Sequence, residues 1–276
     1  MNEHKIRKIV IDAIEEDIGT GDITTERVVD DEEVSSASIT FKEDGVLAGI
    51  PVVDMVFQEV DEDLDITVLR KDGDKVKAGE KVAEITGRTK SILIGERLAL
   101  NFLQRLSGIA TNTSKYVGKV KGYDVDIVDT RKTTPNLRVL EKYAVRVGGG
   151  VNHRMGLYDA VLIKDNHIRS AGGVKEAIER VNTGHTVKVE VEIESLDEIE
   201  DALEAGADII MLDNMKTDEM RKAVDIIGDR AFAEASGGIT LENIREVAET
   251  GVDVISVGAL THQIRSIDIS LDLPEQ

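Results

Sequence analysis

Residues 187–214 read VKVEVEIESLDEIEDALEAGADIIMLDN. The stretch begins with a hydrophobic run of strand character. It continues with apolar residues at the three- and four-residue spacing of an amphipathic helix, which ends at Gly206, and it closes with a second apolar run. Two hydrophobic strands joined by a helix are typical of a parallel β-α-β unit, because a parallel connection has to cross the sheet. This stretch therefore predicts a parallel sheet covered by helices.

The same alternation extends from residue 125 almost to the end of the chain. The apolar runs are VDIVDT, AVLIKD, VKVEVEIE, DIIMLDN, AFAEASGG and DVISVGAL, and the first five are each followed by a helical run. Six strands are fewer than the eight of a complete barrel. We therefore predict an α/β fold with an incomplete (β/α) barrel, and an open doubly wound sheet is the alternative.

The first hundred residues show a different order of predicted helices and strands. A helical run over residues 3–18 precedes a strand near residues 34–43, a helix that starts at Pro51, and short alternating runs that continue through TKSILIG and indicate antiparallel strands. We predict an N-terminal α+β sandwich domain over residues 1–105. Its bridging helix begins at Glu96 and continues toward Val120. The barrel domain then covers residues 106–276, and its last residues, IDISLDL, return to the N-terminal domain as a strand.

Composition excludes several classes of protein. The 276 residues carry a formal net charge of −20 and include no cysteine, so disulfides, cysteine nucleophiles and thiolate metal sites are excluded. The acidity argues against nucleic-acid partners. No apolar stretch reaches the roughly 18 residues that a membrane span needs, and the N-terminus lacks the apolar core of a signal peptide. We predict a soluble, cytoplasmic protein without nucleic-acid or membrane partners.

Positive charge concentrates between residues 129 and 168, against the acidic average of the chain. The cationic or potentially cationic groups near predicted loops are Arg131, Lys132, His153, Arg154 and Lys164. Arg131, Lys132 and Lys164 follow or end apolar runs, where a buried strand passes into a loop. Because the carboxyl ends of barrel strands meet at one face, these cations predict a small, multiply charged anionic ligand.

The last two predicted strands end in small residues. Ser236-Gly237-Gly238 precedes a helix predicted to begin near Leu241, and Val257-Gly258-Ala259 ends the final strand. Small residues let backbone N–H groups approach a phosphate closely, particularly near a helix N-terminus. The two turns therefore predict a phosphate site. Gly148-Gly149-Gly150, before His153, similarly predicts either a close backbone approach to a ligand or a flexible loop.

Carboxylates accompany the cations. Glu190, Glu192 and Glu194 alternate along one run, so all three share a face and can point inward, and Asp213 ends the next strand. Such carboxylates can hold a divalent ion, bind sugar hydroxyls or stabilise a positive transition state. The alternative is a simple ion pair with Lys164 or Arg131. Periodicity does not choose among the three glutamates.

Long motifs in these regions resemble the quinolinate phosphoribosyltransferase family. They are GERLALNFLQRLSGIAT, DTRKTTPNLRVLEKYAVRVGGGVNHRMGLYDAVLIKDNHI, VEVEIES, MLDNM, EASGGI and SVGALTH. The resemblance implies a type II phosphoribosyltransferase that is a homodimer, or a hexamer built from dimers. It also implies the conversion of quinolinate and phosphoribosyl pyrophosphate to nicotinate mononucleotide, pyrophosphate and CO2, with Mg2+. This reaction supplies the pyridine nucleotide of de novo NAD synthesis.

The resemblance also implies a role for each matched residue. Arg131, His153, Arg154 and Lys164 hold the two carboxylates of quinolinate, and Arg97 joins them from a neighbouring subunit. Lys132, beside Thr130, contacts the pyrophosphate donor. Glu192 and Asp213 hold the ribose and, mainly through the donor, its metal, with Glu194 as the alternative to Glu192. The Ser236–Gly238 turn and Gly258, flanked by Val257 and Ala259, take the 5′-phosphate. Lys132, Glu192 and Asp213 are the predicted catalytic residues. The roles of Asp159, Asn166, His167 and His262 are less defined.

Three other functions fit parts of the pattern. A related phosphoribosyltransferase could use nicotinate, although one carboxylate needs fewer cations than the five found here. An aldolase could use Lys164 as a Schiff-base nucleophile, which requires a desolvated amine of lowered pKa. A sensor of phosphorylated sugars could bind without turnover, and product formation would exclude it.

Overall fold

The computed structural model describes residues 3–181 and 187–274. Contacts divide the chain into two compact units. Unit 1 comprises the residues up to Ser114, Thr134–Gly149 and the residues from Gln263 onward, and unit 2 comprises Lys115–Thr133 and Gly150–His262. The predicted domain boundary between residues 105 and 106 divides the chain into two continuous segments, whereas the two units are defined by contacts. The boundary stays a prediction.

Unit 1 contains a four-stranded antiparallel sheet. Its strands are β1 (Val34–Phe41), β3 (Asp65–Val68), β5 (Lys81–Arg88) and β12 (Ile269–Asp272), in the order β12-β1-β5-β3, and a separate antiparallel pair joins β2 (Gly45–Val46) to β4 (Lys75–Val76). Ile39 of β1 lies opposite Leu271 of β12. The last strand of the chain therefore pairs with the first.

The helices of unit 1 include one that begins earlier than predicted. They are α1 (Glu3–Ile18), α2 (Thr25–Val28), α3 (Ile50–Val60), α4 (Thr89–Lys119, whose last five residues group with unit 2) and α5 (Arg138–Val147). The TKSILIG segment at the start of α4 was predicted as strand, and that prediction is wrong. Ile92 is completely buried there, and a Cβ on Gly95 would lie 2.8 Å from the ring of Phe57. Close packing of the α4 backbone on this ring favours the helix over local alternation.

Unit 2 contains a six-stranded parallel sheet. Its strands are β6 (Asp126–Val128), β7 (Val161–Ile163), β8 (Val189–Ile193), β9 (Ile209–Asp213), β10 (Phe232–Ser236) and β11 (Val254–Ser256), in the order β6-β11-β10-β9-β8-β7. From β7 to β11 every strand lies beside its sequence neighbour, and β11 also lies beside β6. A doubly wound sheet would reverse its order in the middle. Within the described residues the ladder is open between β6 and β7, so the predicted incomplete barrel is confirmed.

The helices of unit 2 follow its strands. They are α6 (Asp165–Ala171), α7 (Val174–Arg180), α8 (Ile199–Glu204), α9 (Thr217–Ile227), α10 (Ile244–Ala248) and α11 (Ala259–His262). The helix predicted near Leu241 begins at Ile244, because Asn243 first closes a turn through the N–H of Thr240 and the carbonyl of Gly238. The sequence did not predict α6. The helix after β6, α5, groups by contact with unit 1.

The buried side chains of both units are mainly Val, Ile, Leu and Ala, as the low aromatic content predicts. No helix within residues 3–181 and 187–274 is long and apolar enough to cross a membrane.

Candidate active site

The candidate site is formed by the strand ends of unit 2, and the first of these follows β6. Thr130 accepts a hydrogen bond at Oγ1 from the backbone N–H of Lys132, 3.1 Å away, which turns the chain sharply after the strand. Thr261 donates to the carbonyl of Lys132 at 2.8 Å. A Cβ built on Gly258 would lie 3.3 Å from Cδ of Lys132 and 3.1 Å from Cε1 of His262. The structure thus brings predicted Lys132 and Gly258 together, with His262 beside them.

Two arginines lie within electrostatic reach of each other, Arg131 in the loop after β6 and Arg154 in the segment between α5 and β7. Arg131 is exposed, and Nη1 of Arg154 donates to the carbonyl of Ala160 at 3.1 Å. Burial lowers the pKa of Arg154, and the charge of Arg131 lowers it further, while Glu190 and Asp159 act the other way. Two cations held near each other are suited to binding an anion.

Buried Asp129 anchors the loop that carries the second group of predicted cations. Its side chain is completely buried. Oδ2 accepts from the side-chain amide of Asn152 at 2.5 Å, and Oδ1 accepts from the backbone N–H of His153 at 3.0 Å. Farther along, Asp159 accepts from the backbone N–H groups of Met155 and Gly156 at 2.6 and 2.9 Å. Both aspartates therefore shape the loop, and this gives Asp159 a structural role.

His153 lies beside two glutamates of the barrel interior. Its Nε2 is 3.0 Å from Oε2 of Glu190 on β8 and 3.6 Å from Oε2 of Glu234 on β10. Glu190 is 3% exposed and Glu234 is 1% exposed. Burial raises the pKa of Glu190 above its ordinary value, with a further contribution from the charge of Glu234, against the lowering effect of His153.

The protonation of the His153 ring depends on the contacts of its two nitrogens, Nε2 and Nδ1. Burial lowers the pKa of the ring, and the hydrogen bonds and charges of Glu190 and Glu234 raise it, to about 10 when these effects are combined. On the opposite side, the backbone N–H of Arg154 donates to Nδ1 at 2.9 Å. That contact suits a neutral ring with its proton on Nε2, whereas the two glutamates favour the imidazolium.

The three alternating glutamates have three different environments. Glu190 is buried beside His153, whereas Glu192 is nine-tenths buried and forms an ion pair with Lys164, whose side chain is 44% exposed. Glu194 lies beyond the end of β8 and is exposed. The sequence predicted an ion pair with Lys164 or Arg131 as the alternative role of these carboxylates. Glu192 forms such a pair with Lys164. His167 accepts at Nδ1 from the backbone N–H of Lys164 at 2.9 Å, which helps to start α6.

The phosphate turn predicted after β10 packs against the end of β9. Asn214, at a positive φ of 53°, donates from its backbone N–H to the carbonyl of Ser236 at 2.9 Å and from its amide to Asp213 at 2.7 Å. Gly237 has a φ of +88°, and a Cβ there would lie 2.2 Å from Oδ1 of Asn214. Gly238 also has a positive φ, but open space surrounds it. The turn and Asp213 are therefore held together by Asn214.

Two further predictions have a clear place in the structure. The triple glycine uses its close backbone approach for packing within unit 1, because a Cβ on Gly148 would lie 2.5 Å from the carbonyl oxygen of Ala110 in α4. Arg97 lies on α4 in unit 1, exposed, with Nη2 at 3.7 Å from Glu96. Its contribution to the site of a neighbouring subunit stays a prediction.

Sequence reasoning missed Glu234 and Asp129. Glu234 stands in the middle of the apolar run AFAEAS, and a carboxylate inside a buried strand requires a partner. This is the signal in the sequence by which Glu234 could be found. Asp129 ends the apolar run VDIVD, and its carboxylate fixes the loop instead of facing a ligand.

Comparison with known proteins covers nearly the whole chain. The family model described as "Quinolinate phosphoribosyl transferase, N-terminal domain" matches residues 22–107, and the C-terminal-domain model of the same family matches residues 109–272. A probable nicotinate-nucleotide pyrophosphorylase [carboxylating] of Bacillus subtilis is 45% identical over 275 residues, with 99% of this chain and 95% of the relative covered. Quinolinate phosphoribosyltransferase [decarboxylating] 1b of Nicotiana tabacum is 41% identical, with 98% and 83% covered.

A solved structure agrees with these relatives. The nicotinate-nucleotide pyrophosphorylase of Francisella tularensis superposes with a TM-score of 0.95 at 42% identity, and the match covers 99% of this chain and 98% of that one. Two family models in tandem, relatives above 40% identity and a superposition over the full chain are mutually consistent. The chain belongs to the quinolinate phosphoribosyltransferase family.

Proposed function

We propose that this chain transfers the phosphoribosyl group of phosphoribosyl pyrophosphate to the ring nitrogen of quinolinate. The carboxylate next to that nitrogen is lost as CO2, and the products are nicotinate mononucleotide and pyrophosphate. Family membership supports the reaction, and the relatives of Bacillus subtilis and Nicotiana tabacum carry names for it. The chain's own residues support the type of acceptor.

The observation that carries the proposal is the approach of Arg131 to Arg154. Burial lowers the pKa of Arg154 and the charge of Arg131 lowers it further, so two cations are held near each other in a chain of net charge −20. An acceptor with two carboxylates would relieve this repulsion by charge-assisted hydrogen bonds to both guanidinium groups. Lys164, next to these strand ends, supplies a further cation. Nicotinate, with one carboxylate, would leave part of this charge uncompensated.

The donor would occupy the other side of the strand ends. Lys132 lies beside Gly258 and can reach the pyrophosphate as a mobile point charge. Backbone N–H groups of the Ser236–Gly238 turn, and of the turn from Val257 to Ala259, would take the 5′-phosphate, since small residues there leave the backbone accessible. This places the two anionic ends of the donor on separate groups, with its ribose between them.

Bond formation at the ribose depends more on electrostatic stabilisation of the positive charge at C1 than on a general base. Pyrophosphate leaves C1 with the electron pair of the C–O bond, and C1 acquires oxocarbenium character. Glu192 and Asp213 would stabilise that positive charge. The lone pair of the quinolinate nitrogen then forms the bond to C1. The quaternised ring accepts the electrons of the C–C bond to the adjacent carboxylate, CO2 departs, and solvent supplies a proton to the carbon.

Mg2+ is part of the proposal. Glu192 and Asp213 offer carboxylate oxygens, the ligands that Mg2+ prefers, and Mg2+ commonly binds through one or two carboxylates together with substrate phosphates. Both carboxylates are engaged with neutral or cationic neighbours, Asn214 and Lys164, that could rearrange around an ion. When bound with the donor, the metal would supply positive charge that helps pyrophosphate leave.

Assembly is proposed as well. We place Arg97 in the quinolinate site of a neighbouring subunit, in a homodimer or a hexamer of dimers. Its exposed position on α4 is compatible with such a contact. The cytoplasmic location remains a prediction from the sequence.

The ion pair between Lys164 and Glu192 counts against the aldolase alternative, because an ammonium held by a carboxylate is a poor nucleophile. Borohydride in the presence of a carbonyl substrate should therefore trap no adduct.

A direct assay tests the function. The protein is incubated with phosphoribosyl pyrophosphate and Mg2+ and offered quinolinate or nicotinate in parallel, and nicotinate mononucleotide and CO2 are measured. We expect product and CO2 from quinolinate only. Product from nicotinate alone would move the chain to the related activity, and absence of product from both would overturn the proposal.

A further inference from the structure

Asn214, directly after β9, has a backbone conformation that few residues adopt. Its φ is +53°, and among the described residues Asn136 is the only other non-glycine residue with a positive φ. Asparagine tolerates this left-handed region better than most residues do, but the surrounding structure still has to hold it there. Such conformations are commonly found at functional sites. The contacts of Asn214 identify what holds this conformation.

Three contacts hold Asn214, and they reach two neighbouring strand ends. Asp213 and Ser236 are paired in the register of β9 and β10, and the backbone N–H of Asn214 donates to the carbonyl of Ser236 at 2.9 Å. The side-chain amide donates to Oδ2 of Asp213 at 2.7 Å. The amide oxygen lies against Gly237, where a Cβ would be 2.2 Å from it. One residue thus joins the carboxylate at the end of β9 to the turn after β10.

The two glycines of the Ser236–Gly238 turn have different reasons to lack a side chain. At Gly237 the amide of Asn214 occupies the space of a Cβ, whereas around Gly238 this space is open. Gly238 is exposed, and its carbonyl accepts from the amide of Asn243 at 2.9 Å. A phosphate needs open space to approach the backbone, and a packed contact needs occupied space. The absence of a side chain at Gly237 therefore serves the contact with Asn214, and at Gly238 it leaves the turn accessible.

The amide also determines which oxygen of Asp213 is left for a ligand. Oδ2 accepts from Asn214, and Oδ1 accepts from no residue in the described part of the chain. A carboxylate that is held through one oxygen has a fixed orientation, because rotation of the carboxylate would break the hydrogen bond. Ligand-binding carboxylates are commonly oriented by such a neighbouring donor.

We infer that Asn214 is a positioning residue, which fixes the Asp213 carboxylate relative to the Ser236–Gly238 turn so that the donor is bound at its ribose and its 5′-phosphate together. The inference rests on the proposed function and deepens it, since it names the residue that sets the spacing between two contacts of the donor.

The chemistry of the donor explains why this spacing matters. Its ribose and its 5′-phosphate are joined covalently, so the distance between them varies little. A protein that already holds the two binding groups at the matching distance loses less freedom when the donor binds. Quinolinate has neither group, so a change at Asn214 should alter binding of the donor and leave binding of the acceptor nearly unchanged.

Asn214→Gly separates the side chain from the backbone. Glycine adopts the left-handed region readily, so this variant removes the amide and keeps the turn of the chain. We expect the Kd for phosphoribosyl pyrophosphate, measured by calorimetric titration with Mg2+, to rise about tenfold, and the KM for quinolinate to stay within about twofold. The matched control is Asn136→Gly, which makes the same change at the other left-handed asparagine and should alter neither. An unchanged donor affinity in Asn214→Gly would overturn the inference.

Asn214 is itself exposed, so direct contact with the donor is the competing role. The double variant Asp213→Ala/Asn214→Gly distinguishes the two roles, and the phosphate and pyrophosphate contacts should keep its donor binding measurable. If Asn214 acts through Asp213, then Asn214→Gly should lower donor affinity by less than about twofold once Asp213 is replaced. The full loss of about tenfold in both backgrounds would make Asn214 a direct ligand and overturn the inference.

The packing of Asn214 on Gly237 gives a second test. Gly237→Ala places a methyl group where the amide lies, so it should raise the donor Kd about fivefold in the wild-type background. In the Asn214→Gly background the amide is absent, and the same substitution should change the donor Kd by less than about twofold. Equal changes in both backgrounds would show that Gly237 does not serve Asn214 and would overturn the inference.

Titration of the wild type and Asn214→Gly with ribose 5-phosphate and with inorganic phosphate, followed by nuclear magnetic resonance, separates the inference from the proposed reaction. The wild type should bind ribose 5-phosphate more tightly, since only this ligand engages both contacts. In Asn214→Gly that advantage should fall about tenfold, while phosphate affinity changes by less than about twofold. If the wild type shows no such advantage, the inference and the proposed function fail together. If the advantage is present and Asn214→Gly retains it, the inference alone fails.

Discussion

The two units bury glutamates in opposite ways. In unit 1, Glu141 of α5 is completely buried, and both of its oxygens are satisfied. Oε1 accepts from Nε and Nη2 of Arg105 at 2.9 and 2.6 Å, and Oε2 accepts from the backbone N–H of Thr134 at 3.1 Å. In unit 2, Glu190 and Glu234 share one imidazole, and each leaves an oxygen without a partner.

The difference shows which buried charges serve the fold and which serve a site. A completed network as in unit 1 holds α5 to α4 and has no capacity left for a ligand. An incomplete network is less stable, and it persists where the surrounding structure imposes it, commonly at functional sites. By this criterion, substitutions in the unit 1 network should alter stability, and those at the strand ends of unit 2 should alter binding or turnover.

The largest expected effect tests the stability half of this comparison. Arg105→Ala leaves the Glu141 carboxylate buried without its cation, and it should lower the free energy of unfolding by about 3–5 kcal/mol. Denaturant unfolding measures it. The control is Arg230→Ala, which breaks a bidentate pair with Glu200 on the exposed surface and should leave the unfolding midpoint unchanged. Equal effects in both variants would show that the buried network of unit 1 does not contribute specially to stability.

Turnover provides the next largest effect. Glu192→Gln keeps the shape of the side chain but removes the charge proposed to stabilise the oxocarbenium, so kcat should fall about hundredfold. Single-turnover rates with phosphoribosyl pyrophosphate and quinolinate measure the chemical step. Glu194→Gln, on the same run of sequence but exposed, should be unaffected. An impaired Glu194→Gln beside an active Glu192→Gln would reverse the assignment.

Binding of the acceptor comes third. Arg131→Ala should weaken quinolinate binding by about 1.5–3 kcal/mol, because it removes a charge-assisted hydrogen bond. It also relieves the repulsion of Arg154, so its effect on the free energy of unfolding should be smaller than its effect on binding. Calorimetric titration and denaturant unfolding measure the two quantities. Arg169→Ala, an exposed control on α6, should change neither. Unchanged quinolinate affinity in Arg131→Ala would contradict the proposed site.

The smallest expected effect concerns the turn after β10. Gly237→Ala forces a side chain into the left-handed region and against Asn214, so it should cost about 2 kcal/mol of unfolding free energy and raise the KM for phosphoribosyl pyrophosphate. Gly238→Ala has the same backbone strain but open space around it and should cost less. Equal losses in the two variants would show that Asn214 does not matter to the turn.

The strands could be predicted more securely than the helices. Six apolar runs predicted six parallel strands, because a strand buried on both faces must be hydrophobic along its length. The segment at the start of α4 was misread because its short alternation competes with a helical face that appears only when Ile92 and Gly95 meet their neighbours. Helix α5 could not be placed, since its amphipathic pattern does not state which surface it covers.

The candidate site divides in the same way. The small-residue turns, Asp213 and three of the cations, Arg131, Lys132 and Lys164, could be named because each follows or ends an apolar run at a predictable strand end. The pairing of each glutamate with a particular cation could not be predicted. The sequence left open which glutamate meets which cation, and the structure assigns Glu190 to His153 and Glu192 to Lys164.

The sequence by itself determined the alternation of strands and helices, the family, and the set of charged residues at the strand ends. These follow from local periodicity and from motifs read along the chain. Only the tertiary structure decided that the barrel, within the described residues, opens between β6 and β7, that α5 joins unit 1, and that Glu234 completes the cluster around His153. The physical reason is that burial and hydrogen-bond partners depend on contacts between residues distant in sequence, which no local pattern contains.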